Sequence, residues 1–165
     1  MSGAGATVRR HRFDGGDGHA QGPQAGDRLL ACGGALPFLA AATVPAGREL
    51  VLLSGHTPPL IDASAPADST AAYGDTFAQT DGTLRELQST LHRLGLTMGE
   101  LVQLRVYVVG DPALGGRMDN EGFSRAYARW FGTPEQPQLV ARTRVQVAGL
   151  VNPGWLVEIE AVAVA

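Results

Sequence analysis

The side chains best equipped for chemistry lie close together toward the end of the sequence. Arg142 and Arg144 alternate with other residues in the run 139–147, and Glu158 and Glu160 alternate with Val157, Ile159 and Ala161 in the run 155–164. Both runs are rich in strand formers, and Asn152, Pro153 and Gly154 supply a turn between them. Period-two alternation puts the two arginines on one face of the first strand and the two glutamates on one face of the second. If the strands pair with even position sums, all four share a sheet face; the loop is long enough to permit other registers.

Two readings of these charges stand side by side. One is a cross-strand ladder of ion pairs on a solvated face, worth little energetically. The other is a pocket, because a carboxylate shielded among Val157, Ile159, Ala161 and Val162 beside a guanidinium is costly unless it is used. The chemistry available to such a pair is specific. A guanidinium holds a carboxylate through paired, charge-assisted hydrogen bonds, and a carboxylate takes a proton from water aimed at a polarised carbon.

Ala141, Arg142, Thr143 and Val145, followed by Val157, Glu158, Ile159, Glu160, Ala161, Val162 and Ala163, resemble the C-terminal signature of the RidA (YjgF) family of reactive imine and enamine deaminases. That signature reads Pro-Ala-Arg, a small residue, any residue, Val, and later Val-Glu-Ile-Glu-Ala-Ile-Ala. The resemblance continues at Leu36, Pro37 and Phe38, at Ser54, Gly55, His56, Thr57 and Pro58, and at Tyr127, Phe131 and Gly132. It implies a chorismate-mutase-like α+β fold and a homotrimer with pockets at the subunit interfaces; no cofactor and no metal are expected.

It also implies an activity, hydrolysis of a 2-imino acid to a 2-oxoacid and ammonia. Arg142 is then expected to bind the substrate carboxylate and Glu158 to orient or deprotonate water, with Ser54 at the family's small-hydroxyl position. Several positions depart from the family. Phe38 lacks a tyrosine hydroxyl, His56 replaces a glutamine with a group that titrates near neutrality, Ser124 stands for an asparagine, and Val140 for a proline. Arg144 replaces a smaller residue, so the pocket is expected to be narrower, more basic, or built for a different anion. Phe38, His56, Ser124 and Arg144 therefore join Ser54 as candidate substrate-binding residues. Two alternatives stay open: another imine or enamine step, such as condensation or cyclisation in a biosynthetic pathway, and a non-catalytic ligand-binding trimer, which the loss of the tyrosine at Phe38 supports.

Composition narrows the partners. The 165 residues carry 13 Lys+Arg against 16 Asp+Glu, a formal net charge of -3, which gives no basic excess to follow a phosphate backbone. The expected partner is a small imine, enamine or carboxylate, with no nucleic acid and no membrane. Ribonuclease activity has been attached to the family, but no basic stripe here supports it. Cys32 is the sole cysteine, so no intrachain disulfide forms, and it reads as a small buried hydrophobe. The first thirty or so residues hold no apolar h-region, and no window approaches the ~20 apolar residues of a membrane span, so a cytoplasmic protein is expected.

The elements that must position these groups follow from the pattern. Residues 1–27, rich in Gly and Ala, read as a flexible extension, with Arg9, Arg10 and Arg12 in a solvated arm, and residues 28–165 as one RidA-like domain. His11 and His19 with Asp14 and Asp17 fit no closed metal site. Strands are expected near 28–32, 39–44, 49–55 and 101–109, with an irregular loop at 61–72. A helix from Asp75 or Thr76 to Leu94 presents Phe77, Leu84, Leu87, Leu91 and Leu94 on one face; Thr97 to Glu100 fits a capping box. A second helix is expected over 119–131, burying Phe123, Tyr127, Trp130 and Phe131. The resulting plan is two helices on one face of a mixed sheet.

Overall fold

The structure is a computed structural model that describes residues 7–12 and 36–165. In chain order the described residues form β1 (Arg9–His11), β2 (Ala41–Thr43), β3 (Leu50–His56), α1 (Thr76–Arg93), β4 (Leu101–Val109), α2 (Asn120–Tyr127), β5 (Ala141–Val147) and β6 (Val157–Val164). The strand expected at 28–32, Cys32, and the His19, Asp14 and Asp17 cluster lie outside the described residues.

The apolar run that becomes β4 is the spine. Leu104, Val106 and Val108 are fully or almost fully buried under the helices, together with Val157, Ile159, Ala161 and Ala163 of β6. The main sheet has the order β3-β6-β4-β5, antiparallel except for the parallel β4–β5 pair. The fold is therefore α+β, with a mixed sheet as expected. No described helix is long and apolar enough to cross a membrane.

The β5–β6 register differs from the even-sum pairing considered above, because β4 lies between the two strands. Leu104 aligns with Arg142 on one side and Ala161 on the other, and Val106 with Arg144 and Ile159. Arg105 aligns with Glu160, and Tyr107 with Glu158. The arginines thus point to the helix-covered face and the glutamates to the open face. The solvated ladder exists with a different cation: Arg105 pairs with Glu160 at 3.2 Å.

Local chemistry places the helices. The Asp75 carboxylate accepts from Ala78 N at 2.8 Å to start α1, and the left-handed Gly95 follows its end. Leu84, Leu87 and Leu91 are fully buried, whereas Leu94, at the C-cap, is 55% exposed. Phe77 is only partly covered and lies under the guanidiniums of Arg125 and Arg129. Asp119 accepts from Gly122 N to start α2, which ends at Tyr127, short of the expected 131. Phe131 is still buried, in the turn beyond. The Thr97–Glu100 capping box forms, ahead of β4.

Two polar side chains lock the packing. Buried Gln79 donates to the carbonyls of Gly74 and Gly154 and accepts from Leu156 N, tying α1 to the start of β6. Asp81 receives Arg85, Arg129 and Trp130 Nε1, joining α1 to the segment after α2. The solvated arm expected around Arg9 is instead a strand: β1 pairs antiparallel with β2, and Arg10 donates to the carbonyls of Leu139, Gly99 and Leu101. Backbone carbonyls that the main sheet leaves over explain why this arginine is drawn in.

Candidate active site

The residues singled out from the sequence fall into three places. Arg142, Arg144, Ser124 and Phe38 gather where β5 meets α2. Ser54 and Glu158 lie on the open face of the sheet. His56 stands at the opposite edge, on the helix side.

The first group is built on an aromatic shelf. Phe123 and Tyr127 stack at 5.9 Å, and Tyr127 and Phe131 at 4.6 Å, because α2 repeats an aromatic every four residues into the turn that follows it. Arg142 reaches over this shelf, its guanidinium carbon 4.4 Å from the Tyr127 ring centroid, 4.7 Å from Phe38 and 5.2 Å from Phe123. Arg144 stacks on the same Phe123 ring at 4.7 Å and approaches Asn120 O and Ser124 Oγ at 3.5 and 3.4 Å. The Ser124 hydroxyl itself donates to Asn120 O at 2.7 Å.

Electrostatically this corner is short of negative charge. Among the described residues the ion pairs are Arg85–Asp81, Arg105–Glu160 and Arg129–Asp81; none includes Arg142 or Arg144. Burial pushes the Arg142 guanidinium down to about 10, a fall that Tyr127 opposes and Arg144 reinforces. Burial lowers Arg144 too. The Tyr127 phenol is pushed up to about 12 by burial, with Arg142 pulling the other way. Tyr127 Oη is buried and has no hydrogen-bond partner among the described residues. A buried hydroxyl left open beside a half-buried cation is a place for a ligand's acceptor atoms.

The open face carries the acid. Glu158 lies over Gly55, where a Cβ would overlap its carboxylate, so only glycine leaves the carboxylate this seat. Ser54 borders a shallow cavity of about 310 Å³ with Leu52, Gln103, Arg105 and Glu160. Leu52 is 76% exposed and Val145 41% exposed on this face. His56 lies past a register shift in β3 and turns toward α1; its ring nitrogens meet Ser54 O at 2.8 Å and Thr90 Oγ1 at 2.9 Å. That is the position of a histidine satisfied within its own turn and the neighbouring helix.

Sequence reasoning missed Tyr127 and Phe123 as site residues because helical spacing assigns both to the core. The signal available was the phenol, since a core tyrosine needs a partner for its hydroxyl. Arg105, the cation that takes Glu160, was also missed. It sits in an apolar strand, where a lone arginine marks the open face.

Comparison with known proteins places this geometry in a family. Residues 37–165 match the family model for endoribonuclease L-PSP. A solved structure of the conserved Rid family protein YyfB from Yersinia pestis is 25% identical, with a TM-score of 0.59 over 78% of this chain and 87% of that one. A Pseudomonas aeruginosa protein of unknown function is 29% identical, with a TM-score of 0.54 over 95% and 92%. Rv2704 from Mycobacterium tuberculosis, of the YjgF/YER057c/UK114 family, is 23% identical, with a TM-score of 0.50 over 96% and 100%, a likeness of fold. Among curated proteins none matches the chain. With its signature residues in β5 and β6 and its model match running from 37 to 165, the chain belongs to the endoribonuclease L-PSP family, the YjgF/RidA proteins.

Proposed function

We propose that the protein hydrolyses 2-imino or enamine acids to 2-oxoacids and ammonia, in pockets that two copies of the chain build together. The observation that carries this reading is Arg142: a half-buried guanidinium on an aromatic shelf, with no carboxylate partner among the described residues. A partly buried charge without an internal partner is costly, and an anionic ligand arriving from outside supplies the missing one.

Glu158 faces the other side of the same sheet, so one chain does not bring both groups to one small substrate. The open face, with Leu52 exposed beside Ser54 and Glu158, is an apolar surface in need of cover. A cyclic arrangement that sets the β5 edge of one copy against the open face of the next brings Arg142 of one to Glu158 of the other. A homotrimer closes such a head-to-tail contact.

In that pocket the substrate carboxylate pairs with Arg142, and the Tyr127 hydroxyl donates to one of its oxygens. Glu158 takes a proton from water as the water oxygen bonds to the carbon of the protonated imine, giving a neutral carbinolamine. Glu158 passes that proton to nitrogen, the C–N bond breaks as the hydroxyl oxygen becomes the carbonyl and gives its own proton back to Glu158, and ammonia takes up that proton and leaves as ammonium beside the 2-oxoacid. Arg142 positions the carbon; Glu158 moves the proton.

The test generates 2-imino acids with an amino-acid oxidase and follows their trapping by semicarbazide. The wild type is expected to suppress semicarbazone formation and Arg142→Ala to lose that effect. Trapping unchanged by the wild type, with every imine tried, would overturn the reading. RNA cleavage that is lost on Arg142→Ala and on Glu158→Gln, with imine trapping unaffected by the wild type, would assign the site to another chemistry.

A further inference from the structure

Arg144 gives the corner between β5 and α2 one more positive charge than a monocarboxylate needs. It lies two residues from Arg142 on the same face of β5, about 7 Å away along the strand. Both guanidiniums rest on the Phe123 ring, Arg142 at 5.2 Å and Arg144 at 4.7 Å. The exposed arginines Arg85, Arg105 and Arg129 each reach a carboxylate, whereas these two, more deeply placed, reach none among the described residues. Arg144 is aimed by Asn120 O and Ser124 Oγ at 3.5 and 3.4 Å, contacts at the long end of hydrogen bonding that leave most of its five N–H donors unused. Holding two like charges side by side in a half-buried corner is unfavourable until two negative charges arrive.

We propose that Arg142 and Arg144 together select a dianionic substrate: a 2-imino or enamine dicarboxylate of the kind formed from an acidic amino acid. The α-carboxylate sits on Arg142 and the side-chain carboxylate on Arg144. This rests on the imine-hydrolysis reading of the same site. The reaction balances as before, with water consumed, ammonia released and a 2-oxo dicarboxylate left.

The seating of the arginines favours two separate carboxylates over one phosphate. Arg142 also rests on Tyr127 and Phe38, whereas Phe123 is the ring beneath Arg144. The two forks therefore have different seats around the shared Phe123 ring, each with a planar edge that can take one carboxylate.

Two measurements test the inference on the full chain. The first compares kcat/KM for imines generated from glutamate and from leucine. The second compares binding of glutarate and butyrate, unreactive probes, by calorimetry. The wild type is expected to prefer the glutamate-derived imine and to bind glutarate at least about tenfold more tightly than butyrate. Arg144→Gln should remove most of either preference, a fall of about tenfold or more, as expected for loss of a charge-assisted contact, and Arg144→Lys should retain part of it.

Equal handling of diacid and monoacid by the wild type overturns the proposal, a result that needs no variant to fold. Tighter binding of inorganic phosphate than of glutarate also overturns it. If no imine is turned over yet glutarate binds in an Arg144-dependent way, the dianion site stands and the deaminase reading falls. Turnover without diacid preference gives the reverse.

Discussion

Arg142→Met removes a half-buried charge while keeping a long, flexible side chain over the aromatic shelf. Burial holds the Arg142 guanidinium down to about 10, more than two pH units below its ordinary value, which corresponds to a cost of about 3 kcal/mol at neutral pH. The sign follows from proton binding. The folded protein holds this proton less tightly than the unfolded chain, so the cost is fully present at pH 7 and lifts as pH rises through about 10. Against the gain from removing the charge stands the loss of its contacts with Phe38, Phe123 and Tyr127, each worth about 0.5–1 kcal/mol, which methionine packing restores in part. The net expectation is a variant more stable by about 1–2 kcal/mol, with Tm raised by a few degrees and imine turnover lost. Urea unfolding at pH 7 beside the semicarbazide assay reads both quantities. A variant less stable by 2 kcal/mol or more would refute the reasoning, because Arg142 would then be held by structural partners rather than waiting for a ligand.

Three further perturbations test other parts of the account. Gly55→Ala places a methyl group where the Glu158 carboxylate lies; turnover should fall about tenfold or more while stability changes by less than about 1 kcal/mol, since a flexible carboxylate end moves aside. Gln79→Ala leaves the carbonyls of Gly74 and Gly154 and the N–H of Leu156 without their buried partner, and should cost about 2–4 kcal/mol in urea unfolding. The Tyr127 phenol is pushed up to about 12, so its contribution to stability declines as pH rises from about 10 to about 12, opposite in sign to that of Arg142. Tyr127→Phe should therefore gain stability relative to wild type over that interval, as read by unfolding at pH 7, 10 and 11.

Alternation along β4, β5 and β6 was legible in the sequence because a strand's two faces differ in kind: Leu104, Val106 and Val108 against Gln103, Arg105 and Tyr107. The caps at Asp75 and Thr97 were legible for the same reason, since each is a local event. What alternation does not carry is which strand lies beside which. The run after Asn152 returns next to β4 rather than β5, and that one insertion moves Arg142 and Glu158 from a shared face to opposite faces. Arg10 was illegible because its partners are backbone carbonyls some ninety residues or more away, and no side-chain pattern announces them. Leu94 fits the helical stripe by spacing, but it falls at the C-cap, where the chain leaves the helix and the leucine faces solvent.

In the proposed pocket Arg142 of one copy serves Glu158 of another, and subunit mixing separates this arrangement from a site within one chain. Arg142→Ala and Glu158→Gln are each expected to be inactive alone. When the two are unfolded together in equal amounts and refolded, random assortment leaves about one pocket in four with both groups intact, so about a quarter of wild-type imine turnover should return. Mixed assemblies that form and recover no activity would overturn the shared pocket and return both groups to a single chain.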